Sequence, residues 1–100
     1  MTDKIYTIDE IKAVVKPIAE KYDIEKVYLF GSYARGEANG ESDIDILIKG
    51  KESFRVGNVF AIGEEIRALL EKAVDIFEVR ELEKGSAFYE QAQLERIGII

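Results

Sequence analysis

The 100-residue chain contains no cysteine and no histidine. Those two absences together exclude disulfides, Cys/His zinc sites, thiol nucleophiles and imidazole bases. Acid–base or metal chemistry then falls to Asp, Glu, Lys or Tyr. An excess of positive charge is missing too. The formal net charge is −6, which argues against broad, non-specific nucleic-acid binding, because that needs a basic surface to displace counterions. A nucleotide whose phosphates arrive with magnesium is not excluded. No apolar run approaches the length of a membrane span, and Met1-Thr2-Asp3-Lys4 does not open a signal peptide. The expectation is a soluble, cytoplasmic protein. Scarce Asn and Gln beside abundant Glu and Lys lean toward a thermophilic source.

What is present is ordinary globular material: 47% hydrophobic and 34% charged residues rule out a disordered tail. One hundred residues are enough for one core and too few for two, so residues 1–100 are expected to form a single domain. No repeat, linker or low-complexity stretch divides them.

Thr7 and Glu10 have the spacing of a capping box, which predicts the start of a helix. Ile8, Ile11, Val14, Val15, Ile18 and Ala19 follow it at helical spacing, with Pro17 set to kink or loosen a turn before the helix frays near Asp23. Val27 to Phe30 reads as a buried strand that Gly31 ends. Gly31 to Ser42 reads as a turn, with a short helix over Ser32 to Arg35. Asp43 to Lys49 alternates as a second strand, and Lys51 to Asn58 reads as a loop. A helix carries Val59, Ile62, Ile66, Leu69, Leu70 and Ala73, and Val74 to Val79 forms a third strand. A thinner apolar stripe (Leu82, Phe88, Ala92 and Leu94) predicts a last helix over residues 82–97. Helix, strand, strand, helix, strand, helix describes an α/β (α+β) domain, a small mixed sheet flanked by helices.

In a strand, residues two apart share a face. Ile44, Ile46 and Ile48 therefore point together toward the helices, and Asp43 and Asp45 point together the other way. Adjacent carboxylates repel unless a cation sits between them, and oxygen donors of this kind suit magnesium or manganese. The plain alternative is a solvated edge strand. Asp75 lies inside the apolar strand Val74-Asp75-Ile76-Phe77. It is open to a salt bridge with Lys26 or Arg80, or to joining the pair if the third strand lies beside the second. Three carboxylates could hold two metal ions, which clamp both oxygens of an in-line displacement. Gly31-Ser32 would let the backbone approach a phosphate closely. Arg35 is open to pairing with a triphosphate or with Glu37 or Glu41. Tyr33 and Phe54 flank the expected nucleotide site and are open to lining a base pocket, while Phe60 and Phe88 read as core.

Gly31-Ser32, ten residues, then Asp43-Ile44-Asp45 is similar to the signature of nucleotidyltransferases of the DNA polymerase beta superfamily. The run Leu29 to Gly36 and then Ser42 to Leu47 resembles the minimal nucleotidyltransferases within it, and Asp75 falls where they carry a third carboxylate. The resemblance implies a polymerase-beta-like fold, a nucleoside triphosphate such as ATP, and two Mg2+ ions, with Mn2+ a possible substitute. By the same resemblance Gly31 and Ser32 hold the β- and γ-phosphates, and Asp43 and Asp45 bind the metals. Asp75 completes the second metal site and promotes deprotonation of the attacking hydroxyl. Minimal nucleotidyltransferases are commonly antitoxins paired with a HEPN-domain toxin, adding AMP to one of its tyrosines. The resemblance thus implies a HEPN toxin as partner and acceptor. About twenty residues follow the third strand, so the acceptor is expected to bring its own binding surface, and a homo- or hetero-oligomer is open. Two other readings stand beside it: a non-catalytic antitoxin that acts by contact, and transfer to a small molecule or an RNA end.

Overall fold

The computed structural model describes residues 2–81, 86–87, 90 and 94–100. The capping box forms: the Glu10 N–H donates to Thr7 Oγ1 at 3.1 Å, and the Thr7 N–H donates to Glu10 Oε1 at 2.9 Å. It starts helix α1 (Ile8–Lys21), which buries Ile11, Val15, Ile18 and Ala19 and continues through Pro17 at an exposed position. Strand β1 (Ile24–Phe30), the one-turn helix α2 (Ser32–Arg35) and strand β2 (Ile44–Gly50) follow. A 3-10 turn (Val56–Asn58) leads into helix α3 (Val59–Leu70), and strand β3 (Val74–Glu78) comes next.

The sheet order is β3-β2-β1, with a short strand β4 (Ile97–Gly98) on the far side of β1. β2 runs antiparallel to β1 and parallel to β3, and β4 runs antiparallel to β1, so the sheet is mixed. The parallel pair needs a crossover, which α3 supplies. Ile44, Ile46 and Ile48 of β2 join the core with Val27 and Leu29 of β1, Ile62 and Ile66 of α3, and the apolar face of α1. The opposite face of the sheet carries a smaller cluster in which Phe30 and the fully buried Leu47 pack with Tyr28, Phe77 and Val79.

Several expectations need correcting. Leu82, Phe88 and Ala92 of the predicted last helix lie outside the described residues. Leu94 and Glu95 are helical, with Leu94 84% exposed, but Ile97 and Gly98 form strand β4 instead. Ile97 and Ile99 alternate at strand spacing, and so short an apolar run cannot tell a helix from a strand before pairing decides it. Phe60 is 74% exposed rather than core, whereas Tyr33 and Phe54 are buried. Phe54 folds back over Gly50, where a Cβ would stand 2.2 Å from its ring.

Glu78 is a buried acid with its own solution. It accepts from the Arg80 N–H at 2.7 Å and the Gly50 N–H at 3.4 Å, with the Arg80 guanidinium 3.6 Å away. These bonds offset the cost of taking the carboxylate out of water.

Candidate active site

The parallel register places Asp45 directly opposite Asp75, and Ile44 opposite Val74. The two aspartates therefore stand on the face of the sheet turned away from α1 and α3. Asp43 immediately precedes β2 and is exposed. Its loop is held by Asn39 and Ser42. The Asn39 N–H donates to Ser42 Oγ at 2.9 Å, and the Glu41 N–H donates to Asn39 Oδ1 at 2.8 Å. The neighbouring ladder bond from the Ile44 N–H to the Ala73 carbonyl, 3.0 Å, ties the end of that loop to the start of β3.

Burial, then the charges of Asp75 and Asp43, push Asp45 up from 3.8 to about 6. Arg35 pulls the other way and Glu95 adds to the rise. Phe30, the register partner of Asp45 on β1, belongs to the apolar cluster on this face. The acid thus stands between hydrocarbon on one side and like charge on the other. Asp75 makes no salt bridge to Lys26 or Arg80 among the described residues; Arg80 is paired with Glu78 instead.

Gly31 sits at φ 72°, ψ −151°, a conformation that essentially only glycine adopts. A Cβ there would come within 2.3 Å of Asp45 Oδ2, so the Asp45 carboxylate occupies the space that any other side chain would fill. Sequence spacing alone linked these two residues; the fold puts them in contact. Ser32 opens α2, and Gly36 in the left-handed region closes it, returning the Glu37 N–H to the Ser32 carbonyl at 2.9 Å. A single turn carries little macrodipole, so anion binding here rests on individual N–H donors and on Arg35.

Those donors already hold an anion. Glu95 Oε2 accepts from the Gly31 N–H at 3.3 Å and from Arg35 Nη1 at 2.9 Å. Arg35 also pairs with Glu37 at 3.3 Å, as the sequence left open, and not with Glu41. Glu95 is a residue that sequence reasoning missed. It carries no motif, and the segment before it has only a thin apolar stripe. Lys72 was missed as well. It is 4% exposed and donates to the Gly40 carbonyl at 2.8 Å, bracing the glycine turn that leads to Asp43. A buried lysine after a helix has no signature in one sequence.

The chemistry of the donor set fits a hard divalent cation: carboxylate oxygens stand on one face, and the charges of Asp75 and Asp43 add to burial in raising the proton affinity of Asp45. Among the described residues no three acids converge into a ready-made cage.

The family described as "Polymerase beta, Nucleotidyltransferase" matches residues 13–97. The protein adenylyltransferase MntA of Thermococcus cleftensis is 33% identical over 85 residues, covering 81% of this chain and 86% of that protein. A solved structure assigned as a minimal nucleotidyltransferase superposes with a TM-score of 0.74 at 27% identity, covering 92% of this chain and 95% of the other. The MNT antitoxin solved with the tri-AMPylated HEPN toxin of Shewanella oneidensis superposes with a TM-score of 0.71. It covers 94% of this chain and 72% of that one at 16% identity, a likeness of fold.

Proposed function

Because the chain belongs to the polymerase beta nucleotidyltransferase family, whose members use nucleoside triphosphates with a divalent metal, we propose that it transfers AMP from ATP to a hydroxyl of a partner protein. The acceptor in this reading is a tyrosine of a HEPN toxin, which the modification silences, so the chain acts as antitoxin in a toxin–antitoxin pair. The observation that carries the reading is the Asp45–Asp75 register with Gly31 packed against Asp45. It supports one face on which metal-binding acids and phosphate-binding amides meet. The name of the Thermococcus relative supports AMP as the group and protein as the acceptor.

Asp43, Asp45 and Asp75 would hold the cation, Mg2+ in preference to Mn2+ and two ions when the triphosphate is bound. The bound metal lowers the pKa of a hydroxyl and offsets charge on the phosphates. The Gly31 and Ser32 N–H groups, the Ser32 hydroxyl and Arg35 orient the β- and γ-phosphates, leaving the α-phosphorus over the acids. The acceptor oxygen forms a bond to the α-phosphorus as the bond to the bridging oxygen breaks and pyrophosphate leaves. The acceptor proton passes to Asp75 and on to water; with no histidine in the chain, a carboxylate is the available base. We assign the reaction to the cytoplasm, where ATP is held, and to one catalytic domain spanning the chain.

The test incubates the protein with ATP, magnesium and the HEPN protein encoded beside it, and reads added AMP by mass spectrometry. Asp43→Asn should abolish transfer with the fold retained, because it removes a metal-binding charge at constant shape. Binding of the two proteins without any modification would sink the catalytic reading. Normal neutralisation by an Asp43/Asp45 double variant would move the role to contact alone.

A further inference from the structure

A cavity of about 590 Å3 opens on the other side of β1 from the acids, at the β4 edge of the sheet. Four lysines line it: Lys12 and Lys16 from α1, Lys26 from β1 and Lys51 just after β2. All four are exposed, and among the described residues none has a carboxylate within ion-pair distance. Most other described cations differ, although Lys72, which bonds backbone carbonyls, Arg55 and Arg96 also lack an ion pair among the described residues. Lys4, Lys21, Lys49, Arg35, Arg67 and Arg80 are each ion-paired. In a chain of net charge −6, drawing four unpaired ammonium groups around one cavity costs repulsion that an anionic occupant would relieve. Glu20 lies on the same rim and pairs with none of them.

The walls identify the kind of anion. Ala19, Ile24 and Ile99 supply aliphatic surface behind the lysines. Single-stranded nucleic acid would want free aromatic faces to stack on. Tyr28 lines the cavity, but the Arg96 guanidinium already lies over its ring, 4.4 Å from the centroid. The acidic balance of the chain repels an extended polyanion beyond the cavity itself. An occupant that places carboxylates on the lysines and aliphatic side chains on the walls satisfies both sets of contacts.

We propose that this cavity is a docking site for an acidic, aliphatic segment of the protein that the enzyme modifies. The occupant's place in the acceptor rests on the function proposed above; its chemistry does not. Such a site would supply a grip on a protein substrate, and would steer an acidic partner onto a chain that otherwise repels it.

The experiment uses an array of fluorescein-labelled dodecapeptides in which Asp and Glu alternate with Leu, Ile and Val, with Gln-substituted copies and a short RNA oligonucleotide as controls. Binding is read by anisotropy against the full chain and a Lys16→Glu/Lys26→Glu variant; both positions are exposed, and circular dichroism checks the fold. Acidic members should bind the wild type, weaken at least tenfold in the double variant, and weaken with added salt. Their Gln copies should not bind. Asp45→Asn should bind the same peptides unchanged, so failure of the nucleotidyl-transfer reading leaves this result standing. Equal binding by the Gln copies or by the lysine variant, no binding by any acidic peptide, or preferential binding of RNA through these lysines would each overturn the proposal.

Discussion

Asp45 and Asp75 are register partners on the parallel strands β2 and β3, so two carboxylates of like charge stand abreast on one face of the sheet. Together with burial this lifts Asp45 from 3.8 to about 6. The folded chain thus holds a proton that the unfolded chain releases between those values. For this group, the stabilising contribution is present below about 3.8 and lost as pH rises through about 6.

It follows that Asp75→Asn lowers the Asp45 midpoint from about 6, measured by carbon-detected NMR titration without metal. A midpoint that stays put would mean the two charges do not interact. Asp45→Asn should melt above the wild type at pH 7 in metal-free buffer, the gap narrowing as pH falls below 6. Divalent-cation affinity of the wild type should fall over the same range, because protons compete for the same oxygens.

Gly31→Ala forces a Cβ to within 2.3 Å of Asp45 Oδ2 at a φ of 72°. The strained backbone costs about 1–3 kcal/mol, read as a shift in urea midpoint. Displacement of Asp45 should remove AMP transfer even where the variant remains folded. Retained transfer at the wild-type rate would show that the contact is dispensable.

Glu95 bonds the Gly31 N–H and Arg35 Nη1 at 3.3 and 2.9 Å, the two donors assigned above to phosphate. ATP must displace its carboxylate to reach them. Glu95→Ala should therefore tighten ATP binding several-fold in calorimetry, through removal of both a competitor and a negative charge. Weaker binding would mean that Glu95 supports the site rather than filling it.

Tyr33 is 5% exposed, and its hydroxyl has no hydrogen-bond partner among the described residues. A buried, unsatisfied hydroxyl carries its desolvation cost with nothing in return. Tyr33→Phe should stabilise the protein by about 1 kcal/mol or more, measured by thermal or urea melting. Nucleotide affinity should not change, since the ring is core rather than base pocket.

Much of this molecule is legible without coordinates. Thr7 and Glu10 announce α1 because a capping box needs only local geometry. Period-two alternation from Asp43 to Lys49 puts three isoleucines on one face and two aspartates on the other, and Gly31-Ser32 ten residues upstream resembles a phosphate turn. These signals are short-range; the capping box and the strand formed, with Asp43 just ahead of it, and Gly31 packs against Asp45. Where the signal was thin, as from Leu82 onward, periodicity misread Ile97, whose strand character exists only through pairing with β1.

The sequence by itself narrowed the chemistry open to the protein: without histidine or cysteine, acid–base or metal chemistry falls to Asp, Glu, Lys or Tyr. Only the tertiary structure decided which acids are neighbours. Asp75 is thirty residues from Asp45 along the chain and adjacent across the sheet, because the α3 crossover lays β3 parallel to β2 in that register. Likewise Glu95 on the Gly31 and Arg35 donors and four lysines around one cavity are juxtapositions of distant segments. Local spacing encodes a side chain's direction; its neighbours across a sheet depend on how the whole chain packs.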